Sequence, residues 1–231
     1  MKKVPLVFTF LLLTVFCYGQ TSFARGEELL MQNKPAEAAP FLESAVVEDP
    51  ANTTACLYLG IVYEQMGRTE EAIAIYRRAL PAAGRLSASV ANNLGNVYFQ
   101  RGNDFEAEQF YTQAIGFDSV FSKAYLGRAN TRVKSGNLQN AITDYEQYLM
   151  LEPRSPQRPG IEQLVTLIRA EFAAEERRRI LAEEEERIRA EERQRLLESV
   201  SASLQSAADA SQGISSGAES FENYEGEFEL H

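Results

Sequence analysis

The sequence predicts an all-α protein in which about four helix-turn-helix repeats precede a long charged helix and a disordered acidic tail. Three observations lead to this prediction. A pattern returns about every 34 residues as far as Pro153, a Glu- and Arg-rich run follows Glu171, and a Ser-rich acidic segment follows Ser199. The composition, with 45% hydrophobic and 24% charged residues, is that of a chain able to form a core.

Residues 1–19 have the layout of a secretory signal peptide. Two lysines precede an apolar run, Val4 to Phe16, which is shorter than the about 20 residues of a membrane span. We therefore expect cleavage after Gly19 and an exported protein, periplasmic or extracytoplasmic. The alternative is a lipid anchor on Cys17, and only in that case do we expect association with a membrane.

Four segments share the repeat pattern, with predicted bounds of 20–52, 53–87, 88–121 and 122–153. Each has a small residue in its first helix, a turn residue, a small residue in its second helix and a bulky residue four positions later. In chain order these are Gly26, Gly60, Gly95 and Ala129; Asn33, Gly67, Gly102 and Gly136; Ala38, Ala72, Ala107 and Ala141; and Leu42, Tyr76, Tyr111 and Tyr145. Small residues facing large ones let the two helices pack closely, and each pair then buries its other face on the next pair.

This pattern resembles the tetratricopeptide repeat, and the resemblance covers residues 20–153. It implies a right-handed superhelical arc of helix pairs with a concave inner face that binds a protein or peptide. The chain departs from the family at the first-helix aromatic position. That position holds Tyr63 and Tyr98 in the middle repeats, but Leu29 and Arg132 in the outer ones.

In this family, ligands lie along the inner face formed by the first helices. The resemblance therefore implies ten partner-binding residues: Leu57, Ile61, Glu64, Asn92, Asn93, Asn96, Phe99, Lys123, Leu126 and Asn130. Asn can hydrogen-bond a peptide backbone as donor and as acceptor. The alternative, that these Asn satisfy hydrogen bonds between helices, remains open.

One subset of the family grips a C-terminal carboxylate with two Lys, two Asn and an Arg at fixed groove positions. Only Asn93 and Lys123 fall on that pattern, while Leu57, Ile61 and Gly127 occupy the other positions. We therefore expect a mixed polar and apolar groove instead of a carboxylate clamp.

The residue inventory argues against catalysis. The only His is His231 at the end of the acidic tail, so neither a catalytic His triad nor a His-containing metal site can be assembled. Cys56 falls at a core position of a first helix. We expect no enzyme activity, cofactor or metal. The net charge of −10 and the interleaving of basic residues with Glu also exclude nucleic acid as a partner.

After the repeats, residues 154–160 are rich in Pro and Gly and are predicted to be a linker. Residues 161–199 are predicted to form one helix, whose apolar start, Ile161 to Phe172, caps the last repeat. Beyond it, Glu stands four residues before Arg, as at Glu185 and Arg189, which supports an exposed helix. Both a solvated spacer and a dimerising coiled-coil arm remain open.

Residues 200–231 contain no Lys or Arg and are predicted to be disordered. Their end alternates aromatic and acidic residues, which fits either a docking peptide or a solubilising terminus.

Taken together, the sequence favours a non-enzymatic scaffold in the cell envelope that binds a partner in the repeat groove. One alternative is an envelope or secretion-assembly component that self-associates through the 161–199 helix, which sedimentation would distinguish. Another is a solute-binding accessory of a transporter.

Overall fold

The computed structural model describes residues 21–219, with side chains as far as residue 211. Within this range the chain forms nine α-helices, two short 3-10 turns and no strand. The predicted signal peptide with Cys17 and the last residues of the predicted tail lie outside it. The helices are α1 Ser22–Met31, α2 Pro35–Glu48, α3 Thr53–Gln65, α4 Thr69–Ala79, α5 Ser87–Gln100, α6 Asp104–Phe117, α7 Ser122–Lys134, α8 Leu138–Leu151 and α9 Arg158–Glu219.

The first eight helices pair in sequence order, which confirms the predicted all-α repeat architecture. Each odd-numbered helix contacts the even-numbered helix that follows it, and each pair contacts the next pair. The first helices α1, α3, α5 and α7 also contact one another in succession. They therefore form a continuous layer, as the predicted groove requires.

The turn inside each repeat contains a residue in the left-handed backbone region. Asn33, Gly67, Gly102 and Gly136 have φ angles of 57°, 72°, 77° and 79°. Gly has no Cβ to clash in this region, and Asn tolerates it better than most residues. The turn residues predicted from the repeat pattern are confirmed.

The close contact of first and second helices depends on the small residues. A Cβ added at Gly60 would lie 2.2 Å from the ring of Tyr76, and one at Gly95 would lie 2.7 Å from the ring of Tyr111. Tyr76 and Tyr111 are almost completely buried. The large side chain of each second helix therefore occupies the space that the small residue leaves open.

The loop between the second and third repeats contains one extra residue, because the spacing from Gly60 to Gly95 is 35 residues and not 34. Helix α4 ends at Ala79, two residues before Pro81, and two 3-10 turns, Leu80–Ala82 and Gly84–Leu86, lead to α5. Pro cannot donate a backbone hydrogen bond inside a helix, which explains why α4 is shorter than α2, α6 and α8.

Helix α9 is longer at both ends than the sequence predicted. It begins at Arg158 because Pro159 falls in the first turn, where a missing N–H costs nothing, so the predicted linker 154–160 is shorter. It continues to Glu219, so the predicted end near Ser199 is wrong. The segment from Ser199 to Ser211 has several Ala and no Gly or Pro, and nothing in it breaks the helix.

The chain divides into two units, the first ending at Val165 and the second beginning at Thr166. In the first unit, Ile161 and Val165 of α9 are buried, with 7% and 6% exposure. In the second unit, Arg and Glu side chains form exposed ion pairs along the helix, including Arg189 with Glu185 at 3.3 Å. No helix within residues 21–219 has both the length and the apolar character needed to cross a membrane.

Candidate functional site

The first helices α5 and α7, together with α6, enclose a cavity of about 320 Å³. We call it the central cavity. Its lining consists of Asn92, Asn96, Phe99 and Gln100 from α5, Tyr111 from α6, and Lys123, Leu126, Gly127 and Asn130 from α7. Six of these were predicted as partner-binding residues: Asn92, Asn96, Phe99, Lys123, Leu126 and Asn130. The structure therefore brings the predicted residues of the third and fourth repeats to one site.

The other four predicted residues do not line the central cavity. Leu57 is 7% exposed and belongs to the hydrophobic core, because α3 is flanked by α1, α4 and α5. Ile61 is half-buried and packs against the same core. Glu64 and Asn93 lie beside the cavity, in a hydrogen-bonded chain described below.

Three lining residues were not predicted. Tyr111 was assigned to the core, yet its hydroxyl reaches the cavity. Gly127 lies against the Tyr111 ring, since a Cβ built on it would be 2.4 Å from Tyr111 Cε1. Gln100 is the last residue of α5. A helical projection of α5 and α7 could have identified Gln100, but the position of the Tyr111 hydroxyl depends on the packing of α5, α6 and α7.

Buried tyrosine hydroxyls set the orientation of the cavity amides. Tyr111 Oη donates to Asn96 Oδ1 at 2.8 Å, and Tyr145 Oη donates to Asn130 Oδ1 at 2.7 Å. Burial raises the pKa of Tyr111 and of Tyr145, so both hydroxyls keep their protons at neutral pH. Since each Asn accepts a hydrogen bond through Oδ1, the N–H groups of its Nδ2 amide nitrogen remain available on the groove side.

In the second repeat the buried tyrosine has a different acceptor. Ile61 stands where the third and fourth repeats have Asn96 and Asn130, and it offers no acceptor. Tyr76 Oη donates instead to Glu64 Oε1, from a helix position three residues further along. A buried hydroxyl without a partner is costly, and Glu64 supplies the acceptor that the Tyr76 hydroxyl needs.

A chain of hydrogen bonds connects this tyrosine with the central cavity. Asn92 Nδ2 donates to Asn93 Oδ1 at 3.4 Å, and Asn93 Nδ2 donates to Tyr76 Oη at 3.2 Å. Tyr76 donates in turn to Glu64. At the start of this chain, Asn92 is 5% exposed and its Oδ1 has no hydrogen-bond partner within residues 21–211.

Glu64 is a half-buried carboxylate close to the cavity. Burial raises its pKa from the ordinary value of 4.5, and the hydrogen bond from Tyr76 opposes this shift. Glu64 also raises the pKa of Tyr111, which places its charge near that cavity-lining side chain. In the described part of the chain, neither Lys nor Arg pairs with Glu64.

We expect Glu64→Gln to stabilise the fold at neutral pH. Gln keeps an acceptor for Tyr76 but carries no charge to desolvate. Because the pKa is raised in the folded state, wild type and variant should be equally stable below the ordinary Glu value. Wild type should lose stability relative to the variant as pH rises through the raised value.

Urea denaturation of Glu64→Gln and wild type at pH 3.5 and pH 7 measures this difference. Equal stability at both pH values would show that the Glu64 carboxylate is not penalised by burial.

A second cavity, of about 450 Å³, continues from the first. It shares Leu126 and Asn130 with the central cavity, and its remaining lining comes from Tyr145 and from residues 156–164, which lead into and begin α9. The groove therefore extends past the last repeat onto a segment that has no counterpart in the repeat pattern.

A buried ion-pair network supports the wall of the groove. Asp144, whose side chain is 3% exposed, accepts two hydrogen bonds from Arg128, at 2.7 and 2.9 Å, and one from Arg132 at 2.7 Å. Arg132 also pairs with Glu108 at 2.7 Å. The network joins α6, α7 and α8. The sequence analysis noted Arg132 only as a departure from an aromatic position.

The described residues offer no evident catalytic group. Cys56 is 2% exposed, and burial raises the pKa of its thiol, which favours the unreactive protonated form. Within residues 21–219, no three His, Cys, Asp or Glu side chains are grouped so that they could hold a metal ion. His231 lies outside the described residues.

Comparison with known proteins places the similarity on the repeats. Models of the tetratricopeptide repeat match residues 53–118 and 122–155. A probable UDP-N-acetylglucosamine–peptide N-acetylglucosaminyltransferase SPINDLY of Hordeum vulgare is 29% identical over 135 residues, 56% of this chain and 14% of that protein. The protein FlbA of Caulobacter vibrioides is 28% identical over 140 residues, 61% of this chain and 23% of that protein. The chain thus spans less than a quarter of the length of these relatives.

Solved structures agree with the fold. The crystal structure of MamA superimposes with a TM-score of 0.57 at 21% identity, over 64% of this chain and 84% of that one. Pseudomonas aeruginosa PilF superimposes with a TM-score of 0.55 at 23% identity, over 68% of each chain. At such identities the likeness concerns the fold alone.

Proposed function

Since this chain belongs to the tetratricopeptide-repeat family, through its repeats at 53–118 and 122–155, we propose that it is a non-enzymatic scaffold. It binds a partner protein, or a peptide segment of one, in the groove formed by the first helices. This repeat is typically a protein-interaction module, and the relative with a transferase name, SPINDLY, is matched over only 14% of its length.

The observation that carries the proposal is the hydrogen-bonding state of the central cavity. The cavity is lined by Asn92, whose buried Oδ1 has no hydrogen-bond partner within residues 21–211, and by Asn96 and Asn130, whose oxygens accept from tyrosines while their amide N–H groups remain. An extended peptide carries both N–H donors and C=O acceptors along its backbone. Such a ligand satisfies groups that the fold itself leaves unsatisfied.

A cavity-filling substitution tests the proposal. Leu126 borders both cavities, so the indole of Leu126→Trp would occupy space that the ligand needs. We expect the variant to retain about tenfold less of a degenerate peptide pool than wild type, a loss of about 1.4 kcal/mol. The measurement is the amount of a fluorescent pool held by the immobilised protein.

Leu181→Trp is the matched control, because Leu181 is an exposed Leu of α9 in the second unit. It should bind like wild type, and thermal denaturation should show both variants folded. Equal retention by all three proteins would contradict a ligand site in the groove. Asn96→Ala is less suitable, because it would also leave the buried Tyr111 hydroxyl without its acceptor.

The proposed location is the cell envelope, on the basis of the signal-like pattern of residues 1–19. Mass measurement of the protein recovered from the native envelope tests this. A chain beginning after Gly19 is expected, a lipid mass on Cys17 would support the anchored alternative, and an intact Met1 would contradict export by this signal.

A further inference from the structure

One side of the groove presents hydrogen-bond acceptors. In the chain from Asn92 through Asn93 and Tyr76 to Glu64, each donor is directed toward the next residue. At one end of this chain is Asn92 Oδ1, which has no hydrogen-bond partner within residues 21–211, and at the other is the Glu64 carboxylate. Both lie on first helices that contact each other, α3 and α5. This half of the groove therefore holds an unsatisfied acceptor and a negative charge with no cationic partner in the described chain.

The other side of the groove presents donors. The side-chain oxygens of Asn96 and Asn130 accept hydrogen bonds from Tyr111 and Tyr145. The two Asn side chains therefore offer their amide N–H groups to the groove. Lys123 at the start of α7 is exposed and adds a positive charge to the same cavity, and no ion pair within residues 21–211 neutralises it. The hydrogen-bonding character and the charge of the groove therefore change sign between α3 and α7.

We infer that the partner segment carries a basic side chain, which pairs with Glu64, and an acidic side chain, which pairs with Lys123 and the amide N–H groups of Asn96 and Asn130. This inference rests on the proposed function and specifies the chemistry of its ligand. A guanidinium or ammonium group supplies N–H donors and a positive charge for the Glu64 carboxylate, which has no cationic partner in the described chain. A carboxylate is the complementary partner for a wall that presents the amide N–H groups of two Asn and the positive charge of Lys123.

Charge complementarity also sets the direction of the bound segment. A half-buried carboxylate without a counter-ion repels an acidic ligand group and favours a cationic one. The partner therefore places its basic residue toward α3 and its acidic residue toward α7. The reverse orientation would bring like charges together at both ends of the groove.

The test uses a degenerate pool of peptides of about 12 residues, a length suited to an extended segment in a groove. The pool is passed over immobilised wild type, Glu64→Gln, Lys123→Gln and Glu106→Gln, and the retained peptides are sequenced by mass spectrometry. Glu106→Gln is the control, because it changes the net charge as Glu64→Gln does but lies on α6 outside the cavity lining. A general attraction of basic peptides to this acidic chain would change equally in both.

Wild type and Glu106→Gln should enrich both Arg or Lys and Asp or Glu, each by about fivefold over the input pool. Glu64→Gln should lose the basic enrichment and keep the acidic one, whereas Lys123→Gln should do the opposite. If wild type retains peptides whose charges do not differ from those held by Glu64→Gln and Lys123→Gln, the inference is overturned and the proposed function stands. If wild type retains no peptide, the proposed function fails and the inference fails with it.

Discussion

Replacing Asp144 by Ala is expected to destabilise the protein by about 3–5 kcal/mol, because removal of one partner leaves buried charges uncompensated. The side chain of Asp144 is 3% exposed, and the side chains of Arg128 and Arg132 are 14% and 16% exposed. Arg128 would lose its carboxylate partner and Arg132 would keep only the carboxylate of Glu108, while both guanidinium groups remain largely desolvated. Urea denaturation followed by circular dichroism measures the change in the free energy of unfolding.

Asp104→Ala is the control for this prediction. Asp104 pairs with Lys134 at 2.6 Å, but the side chains of this pair are 25% and 45% exposed. Its loss should cost no more than about 1 kcal/mol, the usual range for solvent-exposed pairs. Similar losses for the two Asp variants would mean that Arg128 and Arg132 rotate into water when Asp144 is absent, and that the network is not essential for the fold.

Gly60→Ala is expected to destabilise the fold by about 1–3 kcal/mol or more, since overpacking a filled core forces neighbouring groups to move. The new methyl carbon would lie 2.2 Å from Tyr76 Cε1, and Tyr76 is 0% exposed. Tyr76 cannot move without losing its hydrogen bonds with Glu64 and Asn93. Chemical denaturation provides the measurement.

The opposite sign is expected for Gly116→Ala. Gly116 also lies within a helix, α6, but a Cβ there would have no neighbour within 4 Å. Ala should therefore stabilise by about 0.5–1 kcal/mol, through its higher helix propensity. Stabilisation by both substitutions would show that Tyr76 yields without cost, and that the repeat does not require a small residue at Gly60.

The repeat pattern was sufficient to predict the helix pairs, because the features that define them are local or periodic. The left-handed turn residues such as Gly67 and Gly102 follow from backbone sterics, and the pairing of Gly60 with Tyr76 follows from their fixed spacing. The end of α9 could not be predicted in the same way. The Ser-rich composition after Ser199 suggested disorder, whereas the Ala content of residues 199–211 and their lack of Gly and Pro sustain a helix.

The candidate site was predictable in position but not in its hydrogen bonding. Because the first helices face the groove, Asn96, Lys123 and Asn130 could be assigned to it from the repeat register. The hydrogen bonds between helices that the sequence left open are present at Asn96 and Asn130, whereas ligand binding by these residues stays a prediction. Asn96 and Asn130 accept hydrogen bonds from buried tyrosine hydroxyls through their side-chain oxygens. Both also line the cavity, where their amide N–H groups remain available.

The sequence by itself determined the order and pairing of the helices, the turns and the face formed by the first helices, because these depend on side-chain size and backbone conformation at regular spacing. Only the tertiary structure decided which polar groups are satisfied. Tyr111 meets Asn96 and Arg128 meets Asp144 across 15 and 16 residues of chain, through the packing of separate helices. The same packing leaves Asn92 Oδ1 without a partner, since no neighbouring helix brings a donor to it.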